Sequence, residues 1–120
     1  MKVLIVDDSR AMRMIVKRTL SQTDLGKCPV VEAENGAEGL KQVAAENPDL
    51  VLCDWNMPEM PGIEFLKQLR ATGSTVNFGF ITSESANEIK TLALDTGAQF
   101  LITKPFTAES LNAALMPCVG

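Results

Sequence analysis

Leu50-Val51-Leu52-Cys53-Asp54-Trp55-Asn56-Met57-Pro58 is the stretch whose reading decides the fold. No polar position interrupts Leu50 to Cys53, so the run reads as a strand buried on both faces, as in a parallel sheet covered by helices. Met57-Pro58 cannot continue a ladder, because proline has no N–H to donate. Asp54 is therefore delivered to the C-terminal end of a strand, the edge at which open parallel sheets bind their ligands.

Working outward, the same grammar recurs. Val3-Leu4-Ile5-Val6 is a short apolar run ending in Asp7-Asp8, with Ser9 placed to cap a helix. Met12, Ile15, Val16, Thr19 and Leu20 follow at helical spacing, with Arg10, Arg13, Lys17 and Arg18 mostly on other faces. Asp24 to Lys27 breaks the pattern, and Pro29 to Ala33 is a weak, partly polar strand suited to an edge. Asn35 and Glu38 have the separation of a capping box for a helix with Leu40, Val43 and Ala44 as its stripe, ended by Asn47-Pro48-Asp49.

Beyond the central strand, Pro61-Gly62 opens a helix with Ile63, Phe65, Leu66 and Leu69 inward, closing at Thr72 to Ser74. Val76 to Ile81 is a fourth strand ending in Thr82-Ser83. Gly79 within it either weakens the strand or permits a close backbone approach. Ser85 to Glu88 reads as a capping box for a helix carrying Ile89, Leu92 and Ala93, stopped at Thr96-Gly97. Phe100 to Thr103 is a fifth strand, ending in Lys104-Pro105. Thr107 caps a last helix with Ala108, Leu111, Ala114 and Leu115.

Five strands alternating with five helices imply an α/β fold: a doubly wound parallel sheet with right-handed crossovers. In parallel strands all C-terminal ends share one edge. With strand order 2-1-3-4-5, strands one and three are neighbours, so Asp7, Asp8 and Asp54 crowd together, with Thr82 and Lys104 beside them. Three carboxylates within about 6 Å repel strongly, and a bound cation is the usual reason such a group persists. Only oxygen ligands are on offer, which selects a hard ion, Mg²⁺ best, since it keeps waters and co-binds phosphate oxygens. With Lys104 opposite and the Thr82 hydroxyl, the arrangement is an electrostatic clamp for a phosphoryl group transferring to Asp54 as nucleophile.

The bulk numbers narrow the function. The chain has 120 residues, enough for one domain with a real core, a net charge of −4 and a pI of about 4.8. That balance argues against sequence-independent nucleic-acid binding. No apolar run reaches the roughly 18 residues of a membrane span, and no signal-peptide plan is visible, so the expected compartment is the cytoplasm. Three unpatterned cysteines make no disulfide framework or zinc site, and Cys53 reads as a small buried hydrophobe. There is no histidine. That removes a Ser-His-Asp triad, histidine metal ligands and any role as phosphohistidine donor. A chain of this kind that handles phosphate must receive it.

Asp7-Asp8, Asp54, Thr82-Ser83 and Lys104-Pro105 together resemble the receiver domain of two-component response regulators, from residue 2 to about residue 115. Asp54 to Pro58 and Lys104 to Thr107 are most similar to its chemotaxis branch. The resemblance implies a flavodoxin-like (βα)5 fold over residues 1–120, a single receiver domain with no output domain. It implies phosphorylation of Asp54 by a histidine kinase. Mg²⁺ would be held by Asp8, Asp54 and the Asn56 backbone carbonyl, with Asp7 acting mainly through water. Lys104 would contact the phosphoryl group across a cis Lys104-Pro105 bond. Thr82 would swing toward the phosphoryl oxygen, while Asn56 and Glu84 would tune hydrolysis. The family usually carries Tyr or Phe three residues before the lysine as a switch. Here that position is Leu101, and Phe100 lies one earlier, on the opposite strand face.

The expectation is thus a monomeric phosphoacceptor rather than an enzyme acting on other substrates. It would signal through a protein partner, such as a flagellar motor switch, at a surface including Ile89, Phe100 and Leu101. Nucleic acid and membrane are not expected partners. A phosphorelay intermediate or phosphate sink is the alternative within the same chemistry. A Mg²⁺-dependent phosphohydrolase would commonly need a second aspartate where Asn56 stands. A flavin or nucleotide module would want a Gly- or Ser/Thr-rich loop where Asp7-Asp8 stands. Met12, Met14, Met57 and Met60 read as packing residues, and Trp55 as either a lid or a packing residue.

Overall fold

Short uninterrupted apolar runs make central strands here, and amphipathic segments between them make the covering helices. In the computed structural model, residues 1–119 are described, with side chains through Cys118. The elements are β1 (Val3–Val6), α1 (Arg10–Leu20), β2 (Val30–Ala33), α2 (Gly36–Glu46), β3 (Leu50–Asp54), α3 (Gly62–Ala71), β4 (Asn77–Thr82), α4 (Asn87–Thr96), β5 (Phe100–Thr103) and α5 (Ala108–Val119). All strand pairings are parallel, in the order β2-β1-β3-β4-β5. The expected α/β architecture and strand order are those observed. No helix among the described residues is long and apolar enough to cross a membrane.

Side-chain alternation along the strands divides the core into two layers. Leu4, Val6, Val51, Cys53, Phe78 and Phe80 face Phe65, Leu66 and Leu69 of α3 and Ala93 of α4. Val3, Ile5, Leu50, Leu52, Ile81 and Ile102 face Val16 and Leu20 of α1 and Leu111 and Leu115 of α5. Each fully buried Leu or Phe contributes about 1.5–3 kcal/mol of transfer free energy. β3 is buried at every position, whereas β2, at an edge, is mostly half-buried.

Several helix ends follow from residue chemistry. Ser9 and Asn35 accept from the backbone N–H groups of Met12 and Glu38. Asn47 ends α2 in the left-handed region (φ 47°) and Gly97 ends α4 there (φ 114°). Thr107 and Ser110 cap each other's backbone at the start of α5.

Five expectations need correction. The Ser85–Glu88 capping box does not form: α4 begins at Asn87, with Ala86 as a cap that offers no side-chain bond. Ala93 is the residue of α4 buried in the core, and Ser85 lies before the helix in an exposed loop. The fourth strand runs one residue later than expected, so Thr82 lies inside it. Met14 and Ile15 are 55% and 49% exposed rather than packed. Their place on the buried stripe of α1 is taken by Arg13, which the sequence pattern put outward. Ala44 and Leu92 are likewise exposed.

Gly79 permits a close approach. A Cβ there would lie 2.0 Å from the Phe100 ring, which covers the bare strand from neighbouring β5, where Gly79 and Phe100 are in register.

Candidate functional site

Each acidic residue reaches the site by a different local device. Asp7 follows β1 and continues its pairing, its N–H donating to Ala33 O at 3.1 Å. Its Oδ1 accepts from Ser9 N–H at 2.9 Å, which turns the chain into α1. Asp7 is buried, whereas Asp8, one residue on, is exposed. Asp54 is the last residue of β3 and is 8% exposed. The chain then passes close over it, with Gly62 N–H donating to Trp55 O at 3.0 Å. A Cβ on Gly62 would sit 2.4 Å from Asp54 O, so only glycine allows α3 to start there.

Because β1 and β3 are adjacent, Asp7, Asp8 and Asp54 each offer a carboxylate oxygen within 4.8 Å of the others. Lys104, just past β5, crosses β4 to place Nζ 3.2 Å from Asp54 Oδ1. The Lys104–Pro105 peptide bond is cis, and Lys104 N–H donates to Thr82 O at 2.7 Å. Thr82 is buried on the neighbouring strand, its Oγ1 accepting from Glu84 N–H at 3.1 Å.

Burial pushes the Asp7 carboxyl up to about 6, against the Ser9 hydrogen bond and with the Asp54 charge adding to the rise. Burial also raises Asp54, against the hydrogen bond and charge of Lys104. Cys53 rises far for the same reason, in keeping with a small apolar packing residue. Two buried acids held above their ordinary range beside a third carboxylate are a site short of positive charge. Lys104 supplies one charge, to Asp54. A divalent cation would supply the rest, and the all-oxygen donor set fits a hard ion. A cleft of about 250 Å³, lined by Asp8, Glu34, Asn35, Met57, Pro58 and Glu59, opens beside the cluster.

The other candidate residues are placed as follows. Asn56 is exposed in the β3–α3 loop and Glu84 is exposed after β4. Leu101 is half-buried against the Phe80 layer, while Phe100 belongs to the opposite layer. The structure thus separates the chain's β5 aromatic from the face that Leu101 and Phe80 share. Ile89 is half-buried on α4. Trp55 packs edge-on against Phe80, ring centroids 4.8 Å apart, as a packing residue at the margin of the core. Gly62 and Arg13 were not visible as site residues. The turn signal Pro61-Gly62 marked a helix start without showing what lay beneath it.

Comparison with known proteins agrees with this geometry. The family model described as "Response regulator receiver domain" matches residues 3–116. Chemotaxis protein CheY1 of Helicobacter pylori is 39% identical, covering 100% of this chain and 98% of its own length. A chemotaxis protein CheY homolog of Campylobacter jejuni is 40% identical, with 100% and 93% covered. Among solved structures, Vibrio cholerae chemotaxis protein CheY4 superposes with a TM-score of 0.87 at 33% identity, covering 98% of this chain and 97% of that one. A signal receiver domain from Vibrio parahaemolyticus shares the fold at a TM-score of 0.88 and 19% identity, covering 98% of this chain and 88% of that one. A sheet-edge acidic cluster facing a lysine, in a chain so covered by one family, leaves a single assignment: the chain belongs to the response regulator receiver domains.

Proposed function

We propose that Asp54 accepts a phosphoryl group from the phosphohistidine of a histidine kinase, in a Mg²⁺-dependent reaction, and that the phosphorylated domain binds a protein target in chemotaxis. The observation that carries this reading is the meeting of Asp7, Asp8, Asp54 and Lys104 at one sheet edge. Asp54 and Asp8 would hold the cation, with the Asn56 carbonyl, and Asp7 would act through its water. When bound, Mg²⁺ supplies positive charge to the transferring phosphoryl oxygens.

The rest is the work of this chain's own groups. A carboxylate oxygen of Asp54 attacks phosphorus in line, a P–O bond forms, and the P–N bond to the donor imidazole breaks, the imidazole leaving with the electron pair. Lys104 passes from Asp54 to a phosphoryl oxygen. The Thr82 hydroxyl, which accepts from Glu84 N–H, keeps its own proton to donate to a second one. Asn56 and Glu84, both exposed at the rim, govern the approach of the water that later hydrolyses the acyl phosphate. In this reading the exchange takes place in the cytoplasm, and the domain turns over no substrate but its own acyl phosphate.

Output would run through α4, β5 and α5. Leu92 and Leu94 are 44% and 43% exposed on α4, whose first turn lacks a side-chain cap, so that helix is the element best suited to shift when Thr82 moves. Asp54→Asn is expected to abolish covalent labelling by radiolabelled acetyl phosphate, and EDTA to suppress it in the parent protein. Undiminished labelling of the variant would reject Asp54 as the acceptor.

A further inference from the structure

We propose that Arg13 is a positioning residue for the cation site: its guanidinium fixes the peptide plane between Asp7 and Asp8, and so the direction of the Asp8 carboxylate. This rests on the reading of the acidic cluster as a Mg²⁺ site and adds to it a residue outside the cluster. Arg13 is one of the few charged residues buried in the chain, at 7% exposure. Its Nη1 donates to Asp7 O at 2.7 Å, a buried bond between side chain and backbone. Its Nε donates to Glu32 Oε1 on β2 at 3.0 Å, and Nη2 lies 3.9 Å from Glu34 Oε1. The planar fork is therefore held in place from the β2 side while it grips the β1–α1 turn.

That grip falls where the site needs it. Asp7 is pinned at its N–H by Ala33 and at its carboxylate by Ser9. Its carbonyl belongs to the peptide that carries Asp8, and Arg13 holds that carbonyl. Asp8 is exposed, so packing does not aim its side chain, and backbone orientation does. Without Arg13, a buried carbonyl loses its donor and the peptide can rotate about its flanking bonds, turning Asp8 away from Asp54. Partners that orient ligands typically matter 10–100-fold in metal affinity.

The test is Mg²⁺ titration at pH 8, followed by the fluorescence of Trp55, the chain's one tryptophan, which sits beside Asp54. Urea unfolding in EDTA runs in parallel to report folding separately. Arg13→Met is expected to weaken Mg²⁺ binding about tenfold in protein that is still folded, and Arg13→Lys about threefold, since lysine keeps one donor and loses the fork. Mg²⁺ binding by folded Arg13→Met within twofold of the parent overturns the proposal. If Arg13→Met does not fold, Arg13→Lys decides, and parental affinity there overturns it equally. Absence of any Mg²⁺ response in the parent removes the cation reading itself, and this proposal with it, a result distinct from an unaffected variant.

Discussion

At Asp7 a single ionisation couples the site to the fold. Its carboxyl is raised to about 6, chiefly by burial. An acid whose folded value lies above its unfolded one binds more protons folded than unfolded between the two values, so stability falls as pH rises from about 4 to about 6 and stays lower above that. Asp54, raised for the same reason, adds a slope of the same sign. In cation-free protein, Asp7→Asn is therefore expected to be more stable than the parent at pH 7.5, by roughly 1–3 kcal/mol, and to show a shallower loss between pH 4 and 6. Urea midpoints in EDTA at pH 4, 6 and 7.5 measure this. A variant less stable than the parent at pH 7.5 would show that the carboxylate is already compensated by its surroundings. The carboxylates themselves were legible in the sequence, since each ends an apolar run. Arg13 was not: a helical pattern treats every arginine as outward, and its partners, Asp7 O just past β1 and Glu32 on β2, are met only through side-chain geometry that strand order alone does not give.

Among the elements, α4 departs most from its sequence signal. Ser85 and Glu88 have capping-box spacing, yet the backbone enters the helix at Ala86 (φ −64°, ψ 140°), and the first N–H groups have no side-chain acceptor. A spacing rule sees the residues but not where the helix begins once Ala93 is buried in the core. Ala86→Ser restores an acceptor at a backbone conformation suited to it, with an expected gain of ~1 kcal/mol in the urea midpoint. No gain would mean that water already satisfies those donors. Gly79 shows the opposite case, where the sequence signalled an anomaly and left two readings open. The Phe100 ring over its α-carbon decides for close approach. Gly79→Ala forces that ring aside, with an expected loss of about 1–3 kcal/mol. Gly79→Ala combined with Phe100→Leu is expected to cost less than the sum of the two single changes, because the smaller side chain vacates the space. Additive losses in denaturant melts would argue that the ring and the glycine do not share it.

Across the whole molecule, topology does what no segment can. Buried strands alternating with amphipathic helices made the layered parallel sheet readable from sequence, while its order was taken from a known doubly wound arrangement, and that order brings Asp7 and Asp8 beside Asp54. It also makes the site a joint between β1 and β3, central strands whose carboxylates repel when nothing lies between them. An ion binding this joint binds only the folded chain, so it must stabilise the entire domain. At one hundred times its dissociation constant the gain is about 2.7 kcal/mol, about ten degrees in a thermal melt for a domain of this size. Asp8→Asn removes one proposed ligand and one repulsive charge together. It is therefore expected to melt no lower than the parent in EDTA, yet to lose most of the rise that Mg²⁺ produces. Paired melts with EDTA and with saturating Mg²⁺ separate the two effects. A Mg²⁺-induced rise of equal size in Asp8→Asn would place the ion elsewhere on the molecule, and a lower melt in EDTA would mean that Asp8 holds the β1–α1 turn together rather than straining against its neighbours.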